Sequence, residues 1–381
     1  MIYDVAIIGG GASGLMFASY LNKRKYKDVC ILETNTKLAQ KLKVSGGSKC
    51  NITNDKITVK NYLGDESLVA NLLKEYTNKD LLNYLNKNGV YPKINPKIVK
   101  GTYFCNSSQD VIDMFSKTTS HIKKFLDTKV LDLDFKNEIY EIKTNKQKIL
   151  ARKVVVSSGG LSYPALGASS IAYDIAKKYG HTIQKCEPAL VGYTVQKDQF
   201  WFKKLAGVSL AADIYIDKRK FEGSFLFAHK GCSGPVVLTS SLFWQKGKIA
   251  VDFLPKKSVD KLLVGNKNIS TALPLPKRFI IEFLESINLS DKPVSKLTSE
   301  EREKLKTLNY YEFAPAGNFG YTKAEVTKGG INTHEISHKT FESKLQKNLY
   351  FIGECLDLTG QLGGFNFQIV FAQSYKCATN L

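Results

Sequence analysis

The stretch Val44–Asn54, VSGGSKCNITN, places one cysteine, Cys50, just after a glycine pair and before an asparagine. Such a residue can be a redox thiol, a general acid, or only a small side chain in a tight turn. Dithiol chemistry needs a second sulfur, and no other cysteine lies within five residues, so disulfide reduction is not expected. A single thiol can still give a proton to a carbon while a hydride reaches the neighbouring carbon. The competing reading is a buried cysteine that lines a turn. His229, in FAHKGCSGP, offers a similar choice between a substrate-facing hydrogen-bond donor and a loop histidine satisfied by backbone. Cys50 and His229 are the candidate catalytic residues. HEISH, His334 to His338, has the H-E-x-x-H spacing that on a helix supplies two zinc ligands and a base. It follows Gly329-Gly330 with no amphipathic helical frame and no obvious third ligand, so no metal site is expected.

A hydride needs a carrier, and the N-terminus holds a fingerprint for one. The apolar run Val5–Ile8 reads as a buried strand, meets Gly9, Gly11 and Gly14 in G-x-G-x-x-G spacing, and is followed by helical spacing at Leu15, Ala18 and Leu21. The first glycine allows the turn, the second lets backbone approach a pyrophosphate, and the third packs helix on strand. Ala12 and Ser13 sit between them, at a helix start whose N–H groups and dipole favour negative charge. A second strand, DVCILE, ends in Glu33, placed for ribose hydroxyls and unfavourable to a 2′-phosphate. The nucleotide is therefore FAD or NAD.

Later segments decide between them. Leu349 and Phe351 lead into Gly353-Glu354 with Asp357 close behind, and Gly363-Gly364 then opens a helix carrying Phe367, Val370 and Phe371. Mid-chain, the buried strand Val154–Val156 runs into Gly159-Gly160. Distant segments completing one nucleotide site is the habit of FAD folds of the glutathione-reductase class. No second G-x-G-x-x-G occurs, so a nicotinamide donor, NAD(P)H, is expected to bind only transiently.

The elements that position these residues imply more than one domain in 381 residues. With 43% apolar and 24% charged residues the composition is globular, and no run is long enough for a membrane span. The opening MIYDVAIIGGGASG reads as mature structure, so a cytoplasmic location is expected. Seven scattered cysteines without a CxxC argue against a disulfide framework. The net charge of +20 suits a polyanion such as RNA, although the basic residues are nearly all lysine and evenly spread. The oligomeric state is not readable. Residues 191–257 and 309–324 carry short alternating segments that suggest a β-barrel, and 258–308 has helical spacing with a capping-box start at Thr298 and Glu301. Residues 1–190 and 325–381 would form a discontinuous FAD-binding domain. The fold class expected is α/β, a Rossmann-like FAD-binding domain of the glutathione-reductase type with an inserted barrel and helical portion.

The strings KLKVSGGSKCNITN, SSGGLSYPALG, FAHKGCSGPVVL, LPKRF, KAEVTKGGI and GECLDLTGQLGGFNFQ resemble the BaiN/YhiN-type flavoproteins over nearly the whole chain. That resemblance implies FAD, an NAD(P)H-linked oxidoreductase, and reduction of an activated C=C bond. The bond would be in a uracil of large-subunit ribosomal RNA or in an enone-type steroid. It extends the cofactor contacts to Thr34, Lys41, Ser45, Gly46, Gly47, Lys49, Cys50, Asn51, Val130, Ser158, Gly160, Phe365 and Asn366. Lys49 stands where the family has arginine and loses its bidentate fork. Cys105 follows Phe104 where the family has proline.

Overall fold

The computed structural model describes residues 1–95 and 99–381. The chain divides into two compact units, Met1–Pro188 with Glu325–Leu381, and Ala189–Ala324.

The first unit is built on a seven-stranded sheet. The runs IYDVAII and VCIL form β1 (Ile2–Ile8) and β2 (Val29–Leu32), which are almost wholly buried, as parallel strands covered on both faces must be. β2 also pairs in parallel with β3 (Lys123–Phe125). Next come β4 (Val130–Lys136) and β5 (Ile139–Thr144), an antiparallel hairpin turned by Asn137 and Glu138, both at positive φ. β6 (Lys148–Val156) pairs in parallel with β1 and serves two further neighbours. Its first residues lie antiparallel to β5, and its last three lie parallel to β7 (Leu349–Phe351). The order is β3-β2-β1-β6-β5-β4, with β7 beside the end of β6. The carboxyl ends of β1, β2, β6 and β7 thus share one edge, where open α/β sheets bind ligands.

Three helices complete that edge. α1 (Ala12–Tyr20) leaves the glycine turn with Ser13–Ala18 buried. α2 (Gln40–Ser48) is interrupted, with Ser45 extended and Gly46 and Gly47 left-handed. The C-terminal α3 (Phe365–Asn380) packs on α1. It buries polar side chains that have partners: Gln368 accepts from the Thr53 hydroxyl at 2.7 Å and donates to the Tyr76 carbonyl at 3.0 Å.

The second unit has its own antiparallel sheet and core. The strands run in the order Tyr311–Phe313, Ile249–Asp252, Ser209–Ile216, Arg219–Ala228, Gly231–Ser233, Tyr193–Val195, Pro315–Asn318. Its two end strands are consecutive in the chain, with Ala314 between them. Helix Lys277–Ser286 turns Phe279, Ile280, Phe283 and Leu284 into this core, where Phe279 meets Trp201, Phe227 and Phe253. Helix Ser299–Lys306 starts on the expected capping box: the Thr298 hydroxyl accepts from the Glu301 N–H, and Glu301 accepts from the Thr298 N–H. Among the described residues no helix is long and apolar enough to cross a membrane.

Candidate functional site

The glycine turn is shaped by what each glycine faces. A Cβ on Gly14 would lie 2.1 Å from the Gly9 carbonyl oxygen, so helix and turn touch there through backbone alone. A Cβ on Gly9 would strike Ser157 backbone at 2.6 Å. At Gly11 nothing lies within 4 Å; this is the open side of the turn. No side chain caps α1 and no acidic residue occupies its first turn, so the positive end of its dipole faces that opening at Ala12 and Ser13.

Beside the turn lies a cleft lined among others by Gly9, Glu33, Thr34, Thr128, Val130 and Ser158. Glu33 is buried. Its Oε2 accepts from the Gly10 N–H at 2.9 Å, and its Oε1 accepts from the Asn35 N–H and Nδ2 at 2.8 Å each. An ionised carboxylate has about four acceptor positions, so Oε2 keeps one for a further hydroxyl. The Ser158 hydroxyl is buried and has no hydrogen-bond partner.

Further along the edge, Gly160, Lys41 and Glu354 converge. Lys41 Nζ donates to Glu354 Oε2 at 2.5 Å, while Glu354 Oε1 accepts from the Thr327 N–H at 2.9 Å. Thr327 Oγ1 in turn accepts from the N–H groups of Leu161 and Ser162 at 2.9 and 3.1 Å. A Cβ on Gly160 would meet Thr327 and Glu354 within 3 Å, which fixes a glycine there; Gly159 faces open space. Gly353 closes on α1, since its Cβ would come 2.5 Å from Ser13 Oγ, and its N–H donates to Gln373 Oε1 at 2.7 Å. Asp357 is half-buried, and burial pushes its carboxyl above the ordinary range. Burial likewise raises Glu325, against the pull of Lys41.

The Ser45–Asn51 turn is compact. The Cys50 N–H donates to the Ser45 carbonyl at 3.1 Å, Lys49 is exposed, and Asn51 Oδ1 is buried without a partner. Cys50 itself is wholly buried at positive φ. Here the structure corrects the sequence reading, in which Cys50 had no companion sulfur. Strand Thr102–Phe104 pairs with Asn51–Asn54, the Cys105 N–H donates to the Lys49 carbonyl at 2.9 Å, and the Cys105 thiol hydrogen-bonds with Cys50. That hydrogen bond, with burial, raises the Cys50 thiol well above its ordinary value. Sequence spacing missed the pair because a sheet ladder brings the two together.

Gly363 and Gly364 pack on the same ladder. The Gly363 carbonyl accepts from Asn54 Nδ2 at 3.0 Å and from Thr102 Oγ1 at 3.2 Å, and a Cβ on Gly364 would lie 2.4 Å from the Thr53 carbonyl oxygen. Phe365 is buried, its carbonyl accepting from the Tyr62 hydroxyl at 3.2 Å. Asn366 spends its amide on Gly360 and Gln361, so it shapes this loop from within. His229 lies in the other unit, exposed, at the turn between Arg219–Ala228 and Gly231–Ser233.

Residues 3–380 match the family described as HI0933-like protein Rossmann domain. The chain belongs to this family. The ribosomal RNA dihydrouridine synthases of Escherichia coli K12 and Haemophilus influenzae Rd are each 32% identical to it. The alignments cover 100% and 98% of this chain and 98% and 97% of those proteins. The 3-dehydro-bile acid delta(4,6)-reductase of Clostridium scindens is 27% identical over 97% of both chains. Among solved structures, the E. coli quinol fumarate reductase FrdA superposes with a TM-score of 0.51 at 14% identity, over 100% of this chain and 70% of that one, a likeness of fold.

This HI0933-like chain is thus an oxidoreductase with a flavin site. Its residues fit the group: the glycine turn is open at Gly11 beside a helix N-terminus, and buried Glu33, with a spare acceptor, and Ser158, with an unpartnered hydroxyl, line the adjoining cleft. Sequence reasoning overlooked Thr128, which lines the cleft, Asn35, which donates to Glu33, and Thr327 and Gln373, which hold Glu354 and Gly353. Thr327 and Glu325 lie in KAEVTKGG, which the sequence offers only as a family string. Gln373 reads as an ordinary helix residue and carries no signal.

Proposed function

We propose that this HI0933-like protein binds FAD and reduces an activated C=C bond, by preference uridine to dihydrouridine in large-subunit ribosomal RNA. The observation that carries the reading is full-length kinship, at 32% identity, with two proteins named ribosomal RNA dihydrouridine synthase. The net charge of +20 supports a phosphate-backbone substrate, because neutralising phosphates releases counterions.

Glu33 would hold the adenosine ribose, Gly11 and the α1 N-terminus the pyrophosphate, and Asp357, Glu354 and the Ser45–Asn51 turn the flavin end. When bound, the flavin would supply the hydride, with NAD(P)H as the proposed donor. The chain's own residues must then hold a proton for the adjacent carbon. Burial favours the protonated forms of the Glu325 and Asp357 carboxyls, and the hydrogen bond with Cys105 together with burial favours that of the Cys50 thiol. Cys50 is fully enclosed, whereas Glu325 is partly open to solvent, so Glu325 stands beside Cys50 as a proton source. His229, exposed in the second unit, is the other candidate read from the sequence.

The test is mass spectrometry of dihydrouridine in large-subunit rRNA from cells with and without the gene, complemented by wild type, Cys50→Ala, Glu325→Gln or His229→Ala. Loss of the true acid should cut the rate by roughly 10²–10⁴-fold. Unchanged dihydrouridine on deletion refutes the RNA substrate. The kinship with a bile acid reductase favours one second reading, a small enone as substrate, which turnover of such compounds without RNA would support.

A further inference from the structure

The HEISH segment is not an α-helix, yet the fold gives its two histidines a third partner. His334–Glu335 lie in the short turn Thr333–Glu335, with His338 just beyond. Both imidazoles point at Asp65, from the start of helix Glu66–Glu75: His334 Nδ1 lies 3.6 Å and His338 Nε2 3.5 Å from Asp65 Oδ2. The two oxygens of Asp65 have separate tasks. Oδ1 caps the helix, accepting from Ser67 and Leu68 N–H at 2.9 and 3.0 Å. Oδ2 has no hydrogen-bond partner, in a side chain only 6% exposed. An unsatisfied buried carboxylate oxygen is costly, and something must repay it.

We propose that Asp65, His334 and His338 form a divalent transition-metal site, best suited to Zn²⁺. Bonds of about 2.0–2.1 Å to nitrogen and oxygen put tetrahedral ligands about 3.3 Å apart. The separations of 3.5 and 3.6 Å to Asp65 match that edge, and all three ligand atoms lie within 4.8 Å of one another. His338 Nε2 lies 3.2 Å from the Thr333 carbonyl oxygen; as a ligand through Nε2 the ring takes its Nδ1–H tautomer, the proton moving through solvent from Nε2 to Nδ1, and that oxygen is left at ligand-like separation. Imidazole nitrogen with carboxylate oxygen selects zinc, cobalt or nickel over magnesium or calcium. His334 is 77% exposed, so solvent reaches the ion.

Glu335 does not face this site. It accepts from the Thr182 N–H at 2.8 Å and lies 3.3 Å from His181 Nδ1. The zinc-hydrolase arrangement, with that glutamate as base, is therefore not reproduced. The ion would be structural, pinning the segment after the Gly329-Gly330 strand to residue 65. The neighbouring strand Tyr62–Gly64 pairs with Leu358–Gly360, next to Asp357.

The experiment uses tag-free, flavin-loaded full-length protein, stripped with chelator and titrated with ZnCl₂ against a competing dye. One equivalent should bind with Kd below about 10 μM and raise the melting temperature. Asp65→Asn keeps a capping oxygen but removes the ligand, and His338→Gln removes another; each should weaken binding at least tenfold. His334→Ala, at an exposed side chain, should do the same with an unchanged flavin spectrum, so loss of binding cannot be blamed on misfolding. Substoichiometric binding by wild type, or wild-type affinity in His334→Ala, overturns the site.

Discussion

Gly11 and Gly14 belong to one motif, yet alanine should act on them in opposite ways. At Gly14 the added methyl would sit 2.1 Å from the Gly9 carbonyl oxygen and 2.6 Å from Ser157 Oγ. Neither can move freely, because Ser157 Oγ donates to the Ile8 and Gly9 carbonyls at 3.1 and 3.0 Å. Overpacking of this kind costs about 1–3 kcal/mol, so Gly14→Ala should lower apo-protein stability measurably. At Gly11 the methyl meets nothing within 4 Å, and φ −84 with ψ −166 is open to any L-residue. Replacing a glycine at a compatible conformation stabilises by roughly 0.4–1 kcal/mol through the unfolded chain. That same methyl enters the space through which a pyrophosphate would reach the backbone. Flavin affinity should fall about 10- to 100-fold, or roughly 1.4–2.8 kcal/mol. Denaturant melts of the stripped protein and flavin titrations by fluorescence quenching separate the two effects. Wild-type flavin affinity in Gly11→Ala would refute the placement of the pyrophosphate on this turn.

Other expectations concern charge and thiols. His181 is buried, with burial holding its pKa below the ordinary 6.5 against the opposing pull of Glu335. The unfolded chain therefore takes up that proton first as pH falls: this stability is fully present above about 6.5 and lost below it, and His181→Gln should flatten that slope in urea melts across pH 5–8. With a brief iodoacetamide pulse at neutral pH, Cys186, the one cysteine not buried, should be labelled before Cys50 and Cys105, read by peptide mass spectrometry. Early labelling of Cys50 would show that the turn above it opens readily. Glu354→Ala frees the Thr327 N–H and should cost about 1–3 kcal/mol, whereas Lys41→Ala, at a one-third exposed side chain, should cost under about 1 kcal/mol in thermal melts.

What could be read in the chain alone was local. Val5–Ile8 with the glycines, Glu33 at a strand end, and the capping box at Thr298 are short-range patterns whose geometry follows from backbone sterics and periodicity. They were enough for the Rossmann half of the fold. Tertiary structure decided what depends on segments distant in sequence. The Cys50–Cys105 contact is made by a strand ladder, the Lys41–Glu354–Thr327 cluster by the docking of the last segment on the sheet edge, and the free Asp65 oxygen by a helix cap. HEISH shows the difference most plainly. Its spacing carried no frame of its own, and it acquires meaning only because the fold sets an upstream aspartate, half-used as a cap, against both imidazoles.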